Sequence, residues 1–213
     1  MNRVITRYTT AADENALFTK GVTHWRLDVD TTKKLLQVAQ DANWLPVPKN
    51  KSQAPNVPSR PVGELTKEHK SNVKDAVELA LNDPVLFPNL RQMGKLTAVD
   101  VELQNGAFDD GWHHDHLSNK RGHAGQFFFI AYLGEKEWQP EWGGGFHYGE
   151  RSLEDGWAHT ITSPEKEDII WPKFRNALLG WNENPKLIHR AAFLTQPKNR
   201  TAFLMPINIQ AFS

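Results

Sequence analysis

The 213-residue chain contains no cysteine. That single absence excludes disulfides, thiolate catalysis and Cys-ligated zinc. Surplus charge is also missing, with 25 Lys and Arg against 25 Asp and Glu and a pI near 7.1. Binding nucleic acid through phosphates needs a cationic excess, so no nucleic-acid partner is expected. The longest apolar run, Phe127 to Leu133, is far too short to cross a bilayer, and no membrane association is expected. The first 21 residues lack an apolar segment of the kind that leads a secreted chain, so a cytoplasmic protein is expected. No self-similarity appears at the periods of solenoids or propellers. What is present suffices for a core: 39% hydrophobic residues, with 8 Trp and 11 Phe. The length suits one domain over residues 1–213. Oligomeric state is not legible.

The texture changes along the chain. Residues 1–95 hold the helical part, and residues 96–213 read as β structure. His24 to Val29 suits a short strand. Asp30 or Thr31 can cap a helix carrying Leu35, Val38, Ala39 and Ala42 on one stripe. A second helix over about 64–81 aligns Val73, Ala76, Val77, Ala80 and Leu81, and Asn82-Asp83-Pro84 ends it. Between them, residues 45–63 carry five prolines, which excludes a helix or a central strand. This loop is a surface connector or a lid over a site opening. Candidate strands then occupy 96–104, 126–133, 145–148, 159–162, 176–181, 187–194 and 200–209. Many short strands without intervening helices point to a mainly β fold, a sandwich or jelly roll with the N-terminal helices buttressing one sheet.

Seven of the nine histidines lie from position 113 onward. In the run Trp112-His113-His114-Asp115-His116, an extended backbone sends His113 and Asp115 to one face. An imidazole and a carboxylate on one face can share a cation. With a distant histidine they make the 2-His-1-carboxylate triad of non-haem Fe(II), which leaves open coordination positions. His123, His147, His159 and His189 are the candidates for that third ligand. His189 is set apart by its downstream neighbours. A turn at 196–199 leads to Arg200, and a hairpin would lay Arg200 some three to six positions from His189. At about 3.3 Å per residue, that is roughly 10–20 Å. A metal at one end and a guanidinium fork at the other would hold a short dicarboxylate.

His113-x-Asp115, His189 at 74 residues beyond Asp115, and Arg200 at 11 beyond His189 together resemble the Fe(II)/2-oxoglutarate-dependent oxygenases. The intervening residues are similar to the prolyl-4-hydroxylase-like branch. They comprise Phe127 to Leu133 ending in Tyr-Leu, then Trp138, then Glu141-Trp142-Gly143-Gly144-Gly145-Phe146, and the strand 176–181. The resemblance covers residues 96–212 and implies a double-stranded β-helix, or jelly roll. It implies His113, Asp115 and His189 as the catalytic iron ligands and Arg200 as the anchor of the distal carboxylate of 2-oxoglutarate. Tyr132 and Thr201 are the candidate hydroxyls beside that anchor. It further implies Fe(II), with 2-oxoglutarate and O2 as cosubstrates and ascorbate as a compatible reductant. Succinate and CO2 would be released as an unactivated C–H bond is hydroxylated. Because Asp115 is present, halogenation, which needs that ligand position for chloride, is not expected.

Substrate is less legible. A small molecule such as an amino acid or other metabolite is expected, with a prolyl residue in a peptide or protein as the alternative. Trp112 and Trp181 are candidate substrate walls. His114 and His116 suit supporting or exposed positions, and Gly143–Gly145 suits a turn. A reading of another class is a non-catalytic jelly-roll metal sensor. A zinc hydrolase with a His-x-His-x-Asp-His motif is excluded by Gly111 at the first position and by the lack of alternating helices.

Overall fold

The computed structural model describes residues 12–46, 61–106, 111–114, 125–151 and 163–212. It is mainly β, built from two antiparallel sheets with helices over the larger one. The chain begins with α1 (Glu14–Lys20), capped by the Asp13 side chain and ended by Gly21 in the left-handed region, φ 79°. Strand β1 (Val22–Arg26) and α2 (Val29–Asp41) come next. Helix α2 starts earlier than Asp30 or Thr31 because Asp28 is the cap, accepting from Thr31 N–H at 2.8 Å. Strands β2 (Asn43–Pro46) and β3 (Pro61–Glu64) precede α3 (Lys67–Leu81), capped by Thr66. Asn82 closes α3 and grips both Leu96 N–H (2.9 Å) and Leu96 C=O (2.7 Å). A short helix, α4 (Pro88–Met93), is fixed by the buried Glu14 carboxylate, which accepts from Asn89 and Leu90 N–H.

The β part comprises β4 (Lys95–Ala98), β5 (Glu102–Asn105), β6 (Phe127–Tyr132), β7 (Phe146–Glu150), β8 (Glu167–Ile170), β9 (Asn176–Trp181), β10 (Leu187–Ala191) and β11 (Thr201–Gln210). The larger sheet runs β1-β9-β6-β11-β5-β3-β2, with β4 also on β11. The strand expected over 96–104 is broken in two, because β11 pairs β5 through Thr201–Leu204 and β4 through Ile207–Gln210. The smaller sheet is β10-β7-β8. Residues 45–63 were read as neither helix nor central strand, yet β3 lies between β2 and β5. Their ends form the β2–β3 pair at the margin of the larger sheet, where Pro46 and Pro61 sit at strand termini. The strand expected at 159–162 and the middle of the proline-rich loop lie outside the described residues.

Alternation along the strands creates two cores. One face of the larger sheet, including Leu103, Phe129 and Phe203, packs under the helices against Leu35, Val77 and Leu81. The other face contributes Tyr132, Leu178 and Ala202 to an interior shared with Phe146, Tyr148 and Leu187 of the smaller sheet. No helix among the described residues is long and apolar enough to cross a membrane.

Candidate active site

The interior between the sheets is where the sequence-derived residues converge. Register places His189 of β10 opposite Tyr148 of β7, on the side that carries Phe146 and Leu187. Phe128 of the facing sheet lies 4.8 Å from the His189 ring and Phe146 lies 5.3 Å from it, between ring centroids. His113 extends the smaller sheet by one antiparallel bridge to His189, with both N–H···O=C bonds at 3.0 Å. That bridge puts the two imidazoles side by side, 4.4 Å between centroids. Two residues 76 positions apart (189 minus 113) are thus brought together by backbone pairing.

Their electronic state suits a metal. His189 is buried, and burial, with His113 and His114 nearby, holds its pKa well below the usual imidazole range, so it is neutral at pH 7. His113 Nδ1 lies 2.9 Å from Gly111 C=O. A carbonyl only accepts, so Nδ1 donates in this bond, and Nε2 is the nitrogen that would ligate a metal. His114, buried, is tied through Nε2 to Asn184 C=O at 3.0 Å, a supporting position. Asp115 lies outside the described residues, as do His116, His123 and His159. His147 is on β7 but pairs with Arg190, on the opposite side of the smaller sheet from His189. It contacts Glu167 there at 3.3 Å. Of the candidate histidines for a third ligand that the structure describes, His189 is the one that faces His113.

Arg200 did not reach the interior by the expected hairpin. β10 and β11 lie in different sheets and face each other across the interior. Arg200 precedes β11 and is 3% exposed. Its Nε donates to Gly144 C=O at 2.7 Å, Nη1 to Gly106 C=O at 2.8 Å and Nη2 to Tyr132 Oη at 3.3 Å. Among the described residues these bonds use three of the five N–H donors and leave one on each terminal nitrogen, the number a carboxylate takes in a bidentate pair. No carboxylate pairs with Arg200 among the described residues. Burial lowers its pKa, an effect that Tyr132 only partly opposes. Tyr132 is fully buried, its guanidinium neighbour 5.1 Å from the ring centroid, and burial raises its pKa. Its phenol therefore stays protonated.

The other predicted residues fall elsewhere. Thr201 alternates to the face of Phe203 and Met205, and its hydroxyl donates to Asn199 Oδ1 at 2.7 Å, so it does not line the interior beside Arg200. Trp181 packs with the helix-side core, its ring 6.2 Å from that of Phe18, because it directly follows the interior-facing Gly180 and so takes the opposite face. It is therefore no wall of the interior. Trp112 stacks on Arg190 at 5.1 Å, and Arg190 alternates away from His189. Sequence reasoning missed Gln104, which shares the row of Ala202 and Tyr132 on the interior face. It is 4% exposed, and its Oε1 has no hydrogen-bond partner among the described residues. Also missed was the role of Gly143–Gly145, which supplies a carbonyl to Arg200. The tract of three glycines five residues after Trp138 was the available signal.

No family model matches the sequence, and no curated protein matches it. Solved structures do. An oxidoreductase of the 2OG-Fe(II) oxygenase family from Burkholderia pseudomallei superposes with a TM-score of 0.57 at 11% identity, over 94% of this chain and 91% of that one. The fold is that of the 2OG-Fe(II) oxygenases. A Pseudomonas putida prolyl-4-hydroxylase matches with a TM-score of 0.52 at 13% identity, over 94% of this chain and 97% of its own. The non-heme alpha ketoglutarate dependent epimerase SnoN from nogalamycin biosynthesis matches with a TM-score of 0.56 at 11% identity, over 90% and 80% of the two chains. The oxygenase fold thus extends to the N-terminal helices, beyond the 96–212 region that carried the sequence resemblance.

Proposed function

We propose that this chain is an Fe(II)- and 2-oxoglutarate-dependent oxygenase that hydroxylates an unactivated C–H bond of a small molecule. The observation that carries it is Arg200: a buried guanidinium with two donors to spare and no carboxylate partner among the described residues. Burying an uncompensated charge costs several kcal/mol, a cost that an anionic ligand repays. The residues fit the rest of the set. His113 and His189 would hold the metal, with Asp115, one residue beyond the described His114, as the carboxylate ligand. Bound iron with 2-oxoglutarate and O2 supplies the oxidising chemistry, with release of succinate and CO2; ascorbate would serve only to keep the iron reduced.

The chain's own contribution is placement. Arg200 binds the distal carboxylate, and the Tyr132 hydroxyl, held protonated by burial, donates beside it. Phe128 and Phe146 flank His189 with apolar surface, which excludes water and suits a hydrocarbon portion of the substrate. The similar structures include both a prolyl-4-hydroxylase and an enzyme of nogalamycin biosynthesis. The small-molecule reading is supported by that apolar wall. The test is succinate release from 2-oxoglutarate in air by the Fe(II)-loaded protein, with a metabolite panel and prolyl peptides as prime substrates. Stimulation by metabolites alone is expected. Stimulation by peptides alone would replace the substrate class, and no succinate under any condition would leave a metal sensor.

A further inference from the structure

We infer that the segment Trp138–Gly145 is the positioning element of the anion site: by holding the Arg200 side chain in place, it selects 2-oxo acids bearing a second carboxylate over those that lack one. This rests on Arg200 as the anchor, as proposed above. The direction of a guanidinium fork is set by what its inner donors bond. Here Nε is fixed by Gly144 C=O at 2.7 Å. That carbonyl is aimed by an unusual turn, since Gly143 (φ 67°) and Gly144 (φ 71°) are both left-handed, a conformation that costs a residue with a side chain energy. Three bonds then lock the turn. Gly143 N–H donates to Pro140 C=O at 3.1 Å, and Gly144 N–H to Phe193 C=O at 2.8 Å. The Trp138 indole N–H donates to Gly143 C=O at 2.9 Å.

There is no slack around it. A Cβ on Gly144 would sit 2.6 Å from Leu194 Cδ2, 3.2 Å from Arg200 Cδ and 3.3 Å from the Trp138 ring. The same segment also grips the chain leaving β10, through Ala192 N–H to Gly145 C=O (2.9 Å) and Thr195 N–H to Trp142 C=O (3.0 Å). It therefore touches the run from His189 to Arg200 at both ends, so it ties the metal-side strand to the anion anchor. Strand β7 begins at Phe146, and beyond its end Gly143 makes an isolated antiparallel bridge to Leu194, so the Trp138 bond fixes the glycine turn at the margin of the smaller sheet. Trp138 is accordingly a positioning residue that acts through Gly143, Gly144 and Arg200.

The experiment is anaerobic calorimetric titration of the Fe(II)-loaded protein with 2-oxoglutarate and with 2-oxobutyrate, which lacks the distal carboxylate. Wild type is expected to prefer 2-oxoglutarate. Trp138→Phe keeps an aromatic ring and removes the N–H. It should narrow that preference by about tenfold without changing 2-oxobutyrate or Fe(II) affinity, while the lost hydrogen bond lowers the melting temperature by only about 2–4 °C. Gly144→Ala should narrow it further, and should it not fold, Trp138→Phe alone decides. An unchanged ratio in Trp138→Phe, or an equal weakening of both acids, would overturn the inference. If Arg200→Met also kept the wild-type ratio, the anchor itself would be wrong, which separates the two failures.

Discussion

Replacing Arg200 with methionine separates a ligand-binding arginine from a structural one. The substitution keeps an unbranched apolar stem and removes the guanidinium. Two terms then oppose each other in the ligand-free protein. Bonds to Gly144, Gly106 and Tyr132 are lost, at about 1 kcal/mol each. Against this, a buried and uncompensated charge is removed, which returns several kcal/mol. The terms nearly cancel, so the apo-variant should melt within a few degrees of wild type, since 1 kcal/mol shifts a domain of this size by about 2–4 °C. Cosubstrate binding has no such offset. Losing a desolvated, charge-assisted pair costs about 2–5 kcal/mol, or roughly 30- to several-thousand-fold in affinity. Circular dichroism melts of the apo-proteins and calorimetric titration with 2-oxoglutarate read the two quantities separately. A variant that loses more than about 4 kcal/mol of stability yet binds 2-oxoglutarate normally would refute the reasoning and make Arg200 a structural cation.

Gln104 and Asp28 provide two further tests. Gln104 presents to the interior a buried Oε1 without a hydrogen-bond partner among the described residues. Gln104→Leu should therefore stabilise the apo-protein by about 1 kcal/mol in denaturant titrations while raising 2-oxoglutarate turnover uncoupled from product. Loss of stability with unchanged coupling would show that its amide serves the fold only. Asp28 caps α2. Burial raises its pKa, but the hydrogen bonds from Thr31 and neighbouring backbone outweigh this and hold it below the usual carboxylate range. Its contribution is then present above about pH 4 and lost as pH falls through the lower folded-state value. Asp28→Ala should cost about 1 kcal/mol at pH 7, with the gap to wild type shrinking in acid. A gap that does not change with pH would contradict this.

How much could be read in advance depended on the range of the interaction concerned. Strand β9 lies at 176–181 as expected because an apolar run bounded by turn residues marks a buried strand locally. Helix α3 was similarly legible, since its stripe from Val73 to Leu81 repeats over more than two turns. Short elements were not: α1 and α4 owe their existence to Asp13 and Glu14, and to packing no local pattern reveals. The choice of sheet was equally hidden. β10 and β11 are successive strands joined by a turn, which reads as a hairpin. In a jelly roll such neighbours pass to opposite sheets, and that depends on pairing with β7 and β6, far away in sequence. Face assignment failed at Trp181 and Thr201 for a related reason, because a one-residue shift in alternation reverses which side a side chain takes. The pairing of His113 with His189 was legible because residues read as two ligands of one metal must converge whatever the path between them. The carbonyls that orient Arg200 left no signature beyond a tract of glycines.

The most direct measurement is an anaerobic titration of the apo-protein with Fe(II) and then 2-oxoglutarate, monitoring the weak visible metal-to-ligand charge-transfer band. The band should appear in wild type and be absent from His189→Ala, whose ring is the buried neighbour of His113. Fe(II) binding by wild type with no band on adding 2-oxoglutarate, or an undiminished band in His189→Ala, would contradict the account.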